Sequence, residues 1–261
     1  MDYSLITKKA TDFIKNSVKN ANADGVIFGL SGGIDSATIA YLCKKAIGNH
    51  CLAMIMPNHE FTPESETDDG VLVATELKMK YIIRPINFIS NLFTVGNNID
   101  DYRDEHNMRL TIGNLNARIR ANYLYYEGQK RNYLVVGTDD KSEHLIGYFT
   151  KFGDGACDIL PIESLYKHEV KELASHLGVP DHIIRKQSSP HLWKNHRANK
   201  EIGLDYDSVD ILLKYIVDQG MTPVEASKKS LIPLKTVERI YNYHVRSQHK
   251  RELPYTVNLK E

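Results

Sequence analysis

The chain has 261 residues, 42% of them apolar and 25% charged, with 33 Lys plus Arg against 33 Asp plus Glu. Such a composition belongs to a globular protein of one or two domains. It excludes a disordered chain and a globally basic nucleic-acid surface, and no apolar run reaches the roughly 18 residues of a membrane span. Three cysteines (Cys43, Cys51, Cys157) without metal spacing, and a stretch Met1 to Lys9 without a signal peptide's apolar core, point to a cytoplasmic, reducing setting.

Tyr3 to Asn20 reads as an amphipathic helix (Ile6, Ala10, Phe13, Ile14, Val18). Val26 to Leu30, ending Gly29-Leu30, is a buried strand that breaks at Ser31-Gly32-Gly33 and resumes as a helical pattern through Asp35, Ser36, Ala37, Ile39, Ala40 and Leu42. A strand, a glycine turn and a helix start make an anion site: the glycines let backbone N–H groups face a ligand, and the helix end adds partial positive charge. Ser31 and Ser36 can donate to phosphate oxygens. Asp35 beside phosphates is repulsive unless a cation lies between, so it is expected to be a Mg²⁺ ligand.

Cys51 to Pro57 is expected as a second strand, Gly70 to Met79 as a helix and Tyr81 to Ile86 as a third strand, with Asn58 to Asp69 polar and Ile89 to Asp104 a less regular helix or loop. A long helix is expected from Gly113 to Gln129. It carries Arg118 and Arg120, which are two residues apart and so do not share a face; one can reach a ligand while the other is structural. Tyr133 to Thr138 is a further strand, followed by Asp139, Asp140 and Glu143 at a helix start. Together with Asp35, these carboxylates make a metal cluster at the C-terminal edge of a parallel sheet.

Gly147 to Pro161 packs Tyr148, Phe149, Thr150, Lys151, Phe152, Asp154 and Asp158 among glycines, a slot for a planar ring with acids to hold polar groups. Lys167 opens a helix running to Leu177. A cation there opposes the helix dipole, which a nearby anion would explain. Asp205 to Lys250 reads as helices. Thr222 to Ala226 and Pro233 to Glu238 have helix-turn-helix spacing with Lys228, Lys229, Lys235 and Arg239, but Glu225, Glu238 and the zero net charge favour a packing role over nucleic acid.

In chain order, Ser31-Gly32-Gly33-Ile34-Asp35-Ser36, Gly113-Asn114 with Ala117-Arg118, Gly137-Thr138-Asp139 with Glu143, Gly147 to Gly155, Pro161, Lys167, Leu192-Trp193, Glu201-x-Gly203 and His249-Lys250-Arg251 resemble the ammonia-dependent NAD synthetases, within the ATP pyrophosphatases. The resemblance spans nearly the whole chain. It implies a doubly wound, mainly parallel α/β sheet with flanking helices in a single domain, 1–261, whose helical C-terminal part covers about 205–250. It also implies a reaction. ATP adenylates the carboxylate of nicotinic acid adenine dinucleotide and releases pyrophosphate; ammonia attacks the acyl-adenylate to give NAD and AMP. The implied ATP residues are Gly29, Ser31, Gly32, Gly33, Asp35, Ser36, Thr138, Lys167 and Ser189; the implied metal ligands are Asp35 and Glu143. Substrate residues are Arg118, Phe149, Lys151, Asp154, Asp158, His249 and Lys250, with Asp35, Glu143, Lys167 and Asp154 catalytic. Mg²⁺ is the implied cofactor, and a homodimer the implied assembly. No stretch is left over for a glutaminase, so free ammonia is the expected nitrogen donor.

The segment 187–200 departs from the family pattern Gly-Leu-Trp-x-Gly-Gln-Thr-Asp-Glu: Asn195-His196-Arg197-Ala198-Asn199 stands where Gly-Gln-Thr-Asp-Glu is usual. In the family this loop closes over the site. Two acids are lost and a His and an Arg gained. This implies a lid working by other contacts, or a related amide-forming ligase for a different carboxylate with Arg197 as its new contact. A third reading, a nucleotide sensor with a helix-turn-helix output, is opposed by the intact Asp35, Glu143 and Lys167.

Overall fold

The structure is a computed structural model describing residues 1–187, 189, 193, 196–252 and 254–259. Four parallel strands, β1 (Gly25–Gly29), β2 (Cys51–Ile55), β3 (Lys80–Ile83) and β4 (Tyr133–Val136), lie in the order β3-β2-β1-β4. The chain winds from β1 outward to β3, then returns to place β4 on the other side of β1. The ends of β1 and β4 therefore flank a topological switch point, where an open α/β sheet binds its ligand.

The central strands β1 and β2 are apolar and buried on both faces, as a sheet covered on both sides requires, whereas the edge strand β3 is largely exposed. Val26, Phe28, Ala53 and Ile55 face one core, shared with helices Tyr3–Asn20, Ile34–Ile47 and Lys167–Leu177. Ile27, Leu52, Met54 and Val135 face the other, covered by Ile119 of helix Glu105–Gln129. A third cluster joins Ile146 and Tyr166 to the C-terminal helices Tyr206–Leu213, Pro223–Ser230 and Leu234–Arg246. The two helices with helix-turn-helix spacing thus turn Ala226, Val237 and Ile240 inward to pack.

Strand and helix types agree with the sequence expectations, but several boundaries move. The second helix of the sheet spans Glu64–Glu76 and not 70–79, because Pro63 ends the preceding chain and Glu64 and Glu66 suit the first turn. The long helix begins at Glu105, capped by the Asp104 carboxylate accepting from the Asn107 N–H at 2.7 Å, and Gly113 is buried inside it. Of the helix or loop expected over Ile89 to Asp104, the structure forms a helix, Asn87–Thr94, followed by a short turn at Ile99–Asp101.

Candidate active site

A cavity of about 560 Å³ opens at the switch point, lined by the ends of β1, β2 and β4, the loop after β1, and residues of the long helix and the 147–155 loop. At one end of it is the turn Ser31-Gly32-Gly33. Gly32 has φ +83°, and a Cβ there would lie 2.1 Å from the Glu66 carbonyl oxygen, so the turn admits only glycine. Ser36 Oγ accepts the Ser31 N–H at 3.1 Å and donates to the Gly33 carbonyl at 3.0 Å, which holds the turn closed. Gly33 caps helix Ile34–Ile47 without a side-chain acceptor, leaving the first N–H groups of the helix for a ligand. Lys186, unforeseen from the sequence, donates to the Gly32 carbonyl at 3.0 Å and pairs with Glu66 at 2.8 Å and Asp69 at 2.5 Å, pinning the turn to helix Glu64–Glu76.

Beside this turn lies the expected carboxylate cluster, with an unexpected centre. Lys167 is fully buried, and its Nζ contacts Asp35 Oδ2 at 2.8 Å, Glu143 Oε1 at 2.9 Å and Asp140 Oδ2 at 2.5 Å, the last an ion pair without the angle of a hydrogen bond. The anion that explains a cation at this helix start is thus the protein itself. Burial would depress the Lys167 ammonium, but Asp140, Asp35 and Glu143 outweigh it and hold it well above its ordinary value. Burial pushes Asp35 and Glu143 up; Lys167 opposes the shift and Asp140 adds to it. Asp140 is buried and also caps helix Lys141–Ile146 by accepting the Glu143 N–H at 3.0 Å. Asp139 leaves the cluster and faces the cavity, where burial and then the Asp154 charge push it well above the carboxylate range. Tyr206, another residue the sequence did not mark, donates to Glu143 Oε1 at 3.1 Å.

The cluster fits a divalent cation. One ligand oxygen from each of Asp35, Asp140 and Glu143 lies within 4.8 Å of the others. Three ionised carboxylates and one ammonium sum to a formal charge of −2, which a dication cancels. Asp35 Oδ1 is buried without a hydrogen-bond partner among the described residues, and hard oxygen donors suit Mg²⁺.

At the other end of the cavity, Phe149 stacks on His144 (centroids 5.8 Å, interplanar angle 7°) beneath the Lys250 ammonium, 5.4 Å from its ring. Lys250 donates to the Gly147 and Phe149 carbonyls, both at 2.8 Å. Gly147 has φ +68°, and a Cβ there would meet Ser247 Cβ at 2.1 Å, so this turn and the C-terminal segment close on each other through a glycine. Asp154 lines the cavity and accepts the Thr150 N–H at 2.9 Å; crowding by protein raises its carboxyl, an effect the hydrogen bond opposes.

Of the expected residues, Gly29, Ser31, Gly33, Asp35, Ser36, Thr138, Glu143, Phe149, Asp154, Ser189 and Lys250 line the cavity. Arg118 does not: it is exposed and donates to the Lys151 carbonyl at 3.3 and 3.4 Å, while Lys151 Nζ donates to the His249 carbonyl. Asp158 also lies outside, its oxygens accepting the Val135 N–H at 2.7 Å and the Tyr125 hydroxyl at 3.2 Å. Between the two arginines of the long helix, Arg120 is the one in the cavity wall. Burial lowers its guanidinium to about 10, against the raising effect of Asp154.

In segment 187–200, Ser188, Pro190, His191, Leu192, Lys194 and Asn195 lie outside the described residues. Arg197, expected as a new ligand contact, is exposed and donates to Gln187 Oε1. The buried residue is His196. Its Nε2 meets Glu201 Oε2 at 2.7 Å, its ring stacks on Trp193 (3.5 Å, 13°), and Tyr148 Oη donates to Glu201 at 2.6 Å. The histidine therefore links the altered segment to two residues of the cavity wall.

Comparison with known proteins agrees with this geometry. The family model described as NAD synthase matches residues 6–254. The chain is 43% identical to an NH(3)-dependent NAD(+) synthetase of Methanocaldococcus jannaschii, over 96% of this chain and 95% of that one. It is 42% identical to its namesake from Hyperthermus butylicus, over 97% and 90%. Two solved structures, an NMN synthetase from Francisella tularensis (TM-score 0.85) and an NH3-dependent NAD synthetase from Campylobacter jejuni in complex with nitrate (TM-score 0.80), are each 32% identical over 99% of this chain and 100% of theirs. With its family model, its relatives and its sheet in agreement, the chain belongs to the NAD synthase family.

Proposed function

We infer that the protein is an ammonia-dependent NAD synthetase: it uses ATP to convert the carboxylate of nicotinic acid adenine dinucleotide to the amide, giving NAD, AMP and pyrophosphate. The observation that carries this reading is the Lys167-centred carboxylate cluster beside an uncapped helix start, in a chain of this family. A carboxylate resists amination until its oxygen carries a good leaving group. The acid's oxygen attacks the α-phosphorus of ATP, and the bond to pyrophosphate breaks. Ammonia then adds to the acyl carbon, loses a proton and expels AMP.

The chain's own groups serve these steps. N–H groups at the start of helix Ile34–Ile47 and the Ser31 hydroxyl hold phosphate oxygens, and Lys167, buried behind the cavity wall, offsets the charge of Asp35 and Glu143 and so lowers the repulsion that departing pyrophosphate meets. Asp35 and Glu143 would hold Mg²⁺, which when bound supplies further charge neutralisation at the phosphates. Asp154, raised by its surroundings, is placed to take the proton that ammonia sheds. Phe149 and Lys250 present a ring face and a cation to the acid's pyridine end, with Arg118, Lys151, Asp158 and His249 beside it at the surface.

The whole chain, 1–261, acts as one unit with the helical part 205–250 as a wall of the site. It works in the cytoplasm as a homodimer. The assembly is supported by exposed Phe88, Leu92, Phe93 and Tyr126, apolar surface that a second copy would cover.

The test is NAD formation by purified protein at saturating ATP and ammonium, against glutamine as the sole nitrogen source. Ammonium supports turnover that rises with pH as free amine increases; equal rates with glutamine in ammonia-free protein contradict the reading. Because one solved relative is described as an NMN synthetase, the mononucleotide acid is assayed in parallel. Pyrophosphate release with that acid, and no detectable NAD from the dinucleotide, moves the assignment to a different carboxylate.

A further inference from the structure

Behind Lys167 lies a second polar cluster that lines no part of the cavity. Ser142 is fully buried in helix Lys141–Ile146, one residue before Glu143. Its Oγ accepts the Lys167 N–H at 2.9 Å and donates to Asp210 Oδ1. Asp210 Oδ2 accepts the His168 N–H at 3.0 Å and meets His168 Nδ1 at 2.8 Å. The side chain of Asp210 is 2% exposed. Asp210 sits on helix Tyr206–Leu213, which also carries Tyr206, the donor to Glu143.

The arrangement has a physical purpose. The first N–H groups of a helix have no partner within it, and Lys167 and His168 supply two of them. A cation at that end is opposed by the helix dipole, and a buried carboxylate there offsets the opposition. A lysine has four rotatable carbons, so its Nζ stays among three carboxylates only if its backbone is fixed. Ser142 and Asp210 fix it from the side away from substrate, and the same hydroxyl ties it to the helix that presents Glu143.

We propose that Asp210, acting through the Ser142 hydroxyl, is a positioning residue for Lys167, and that by this route the C-terminal helices set the geometry of pyrophosphate release. The proposal rests on the NAD synthetase reading. It does not require Asp210 to touch any substrate.

The test uses full-length Asp210→Ala, Ser142→Ala and the double variant, measuring pyrophosphate release, NAD formation, the KM for ATP and the thermal midpoint. Each single variant loses roughly tenfold to a hundredfold in kcat with the KM for ATP nearly unchanged, the loss expected when a catalytic group is misplaced but binding is kept. The double variant falls no further than the worse single, because hydroxyl and carboxylate act as one chain. Ser142→Ala deletes one oxygen, so it tests the proposal even if Asp210→Ala fails to fold. A wild-type kcat in Ser142→Ala with only a lowered midpoint overturns the positioning role, as do losses that multiply in the double variant. A wild-type protein that releases pyrophosphate with another acid and makes no NAD overturns the functional reading alone, and the variant ratios are then read on pyrophosphate release.

Discussion

Lys167 and Arg118 are both cations that the sequence places at the site, and the fold treats them in opposite ways. Lys167 is sealed in, matched to three carboxylates and backed by Ser142 and Asp210. Arg118 is exposed and, among the described residues, donates to the Lys151 carbonyl. The same contrast runs along the cavity. The end at Ser31-Gly32-Gly33, proposed for phosphate, is locked by Lys186, Ser36 and the cluster, whereas the end at Phe149 and Lys250, proposed for the acid, borders side chains turned to solvent. Charge that must be stabilised in the transition state is best met by groups that need no reorganisation. An end that must admit a second substrate and then close gains from groups still free to move.

The sharpest break of this contrast is Lys167→Ala. It leaves three carboxylates without their cation, so pyrophosphate release should fall roughly a thousandfold or more. Folding stability should drop by about 3–5 kcal/mol, the usual cost of breaking a buried pair, read from the urea midpoint. Next come Asp35→Asn and Glu143→Gln, each expected to cost roughly a hundredfold to a thousandfold in rate with circular dichroism unchanged. These two also carry a pH signature. Both carboxyls are raised in the fold, so the folded state holds protons that the unfolded chain releases. In chelator-treated protein, the stability these two groups contribute is fully present below the ordinary carboxylate range and is lost as pH rises through the raised values. Each variant should flatten that fall in thermal midpoint; an unchanged slope would deny the crowding of charge around Lys167.

Smaller effects test the acid end. Arg120→Ala removes a cavity cation and should raise a substrate KM roughly tenfold, the worth of a charge-assisted contact of about 1.5–3 kcal/mol. Arg118→Ala should change the same constants less in the chain's own cavity. The reverse order would mean that the acid lies outside that cavity, against the surface Arg118 shares with Lys151. Smallest is the altered segment: Arg197→Ala should leave the KM for the acid within about twofold, as expected of an exposed side chain bonded to Gln187. His196→Ala forfeits a ring stack of about 0.5–1.5 kcal/mol and should cost several-fold.

Much of this was legible in the sequence where local chemistry decides it. An apolar run broken by Ser31-Gly32-Gly33 marks β1 and its anion turn, because only glycine tolerates the φ and the close approach to Glu66. Asp35 and Lys167 are marked by charge that makes no sense without a partner, and Glu143 by its combination with Asp35, although the partner of Lys167 is the carboxylates themselves and not a ligand. What stayed hidden depends on packing between distant segments. Tyr206 and Asp210 lie on a helix that reads as ordinary amphipathic sequence, and their role arises only when it crosses the start of the Lys167 helix. Lys186 reads as a surface charge until helix Glu64–Glu76 brings Glu66 and Asp69 to it. The split between Arg118 and Arg120 is a matter of helix rotation against the sheet, which two residues of spacing cannot fix.

Trp193 is the only tryptophan in the chain. It sits in the altered segment, face to face with the imidazole of His196, while the 15 tyrosines and 7 phenylalanines of the chain absorb little at the red edge of the indole band. Excited there, the protein emits from one side chain in one place. Any ligand that draws His196 off the indole, or presses it closer, changes the colour or brightness of that emission. The enzyme therefore carries a built-in optical probe of this segment, usable in stopped flow on unlabelled protein while ATP and the acid bind in turn.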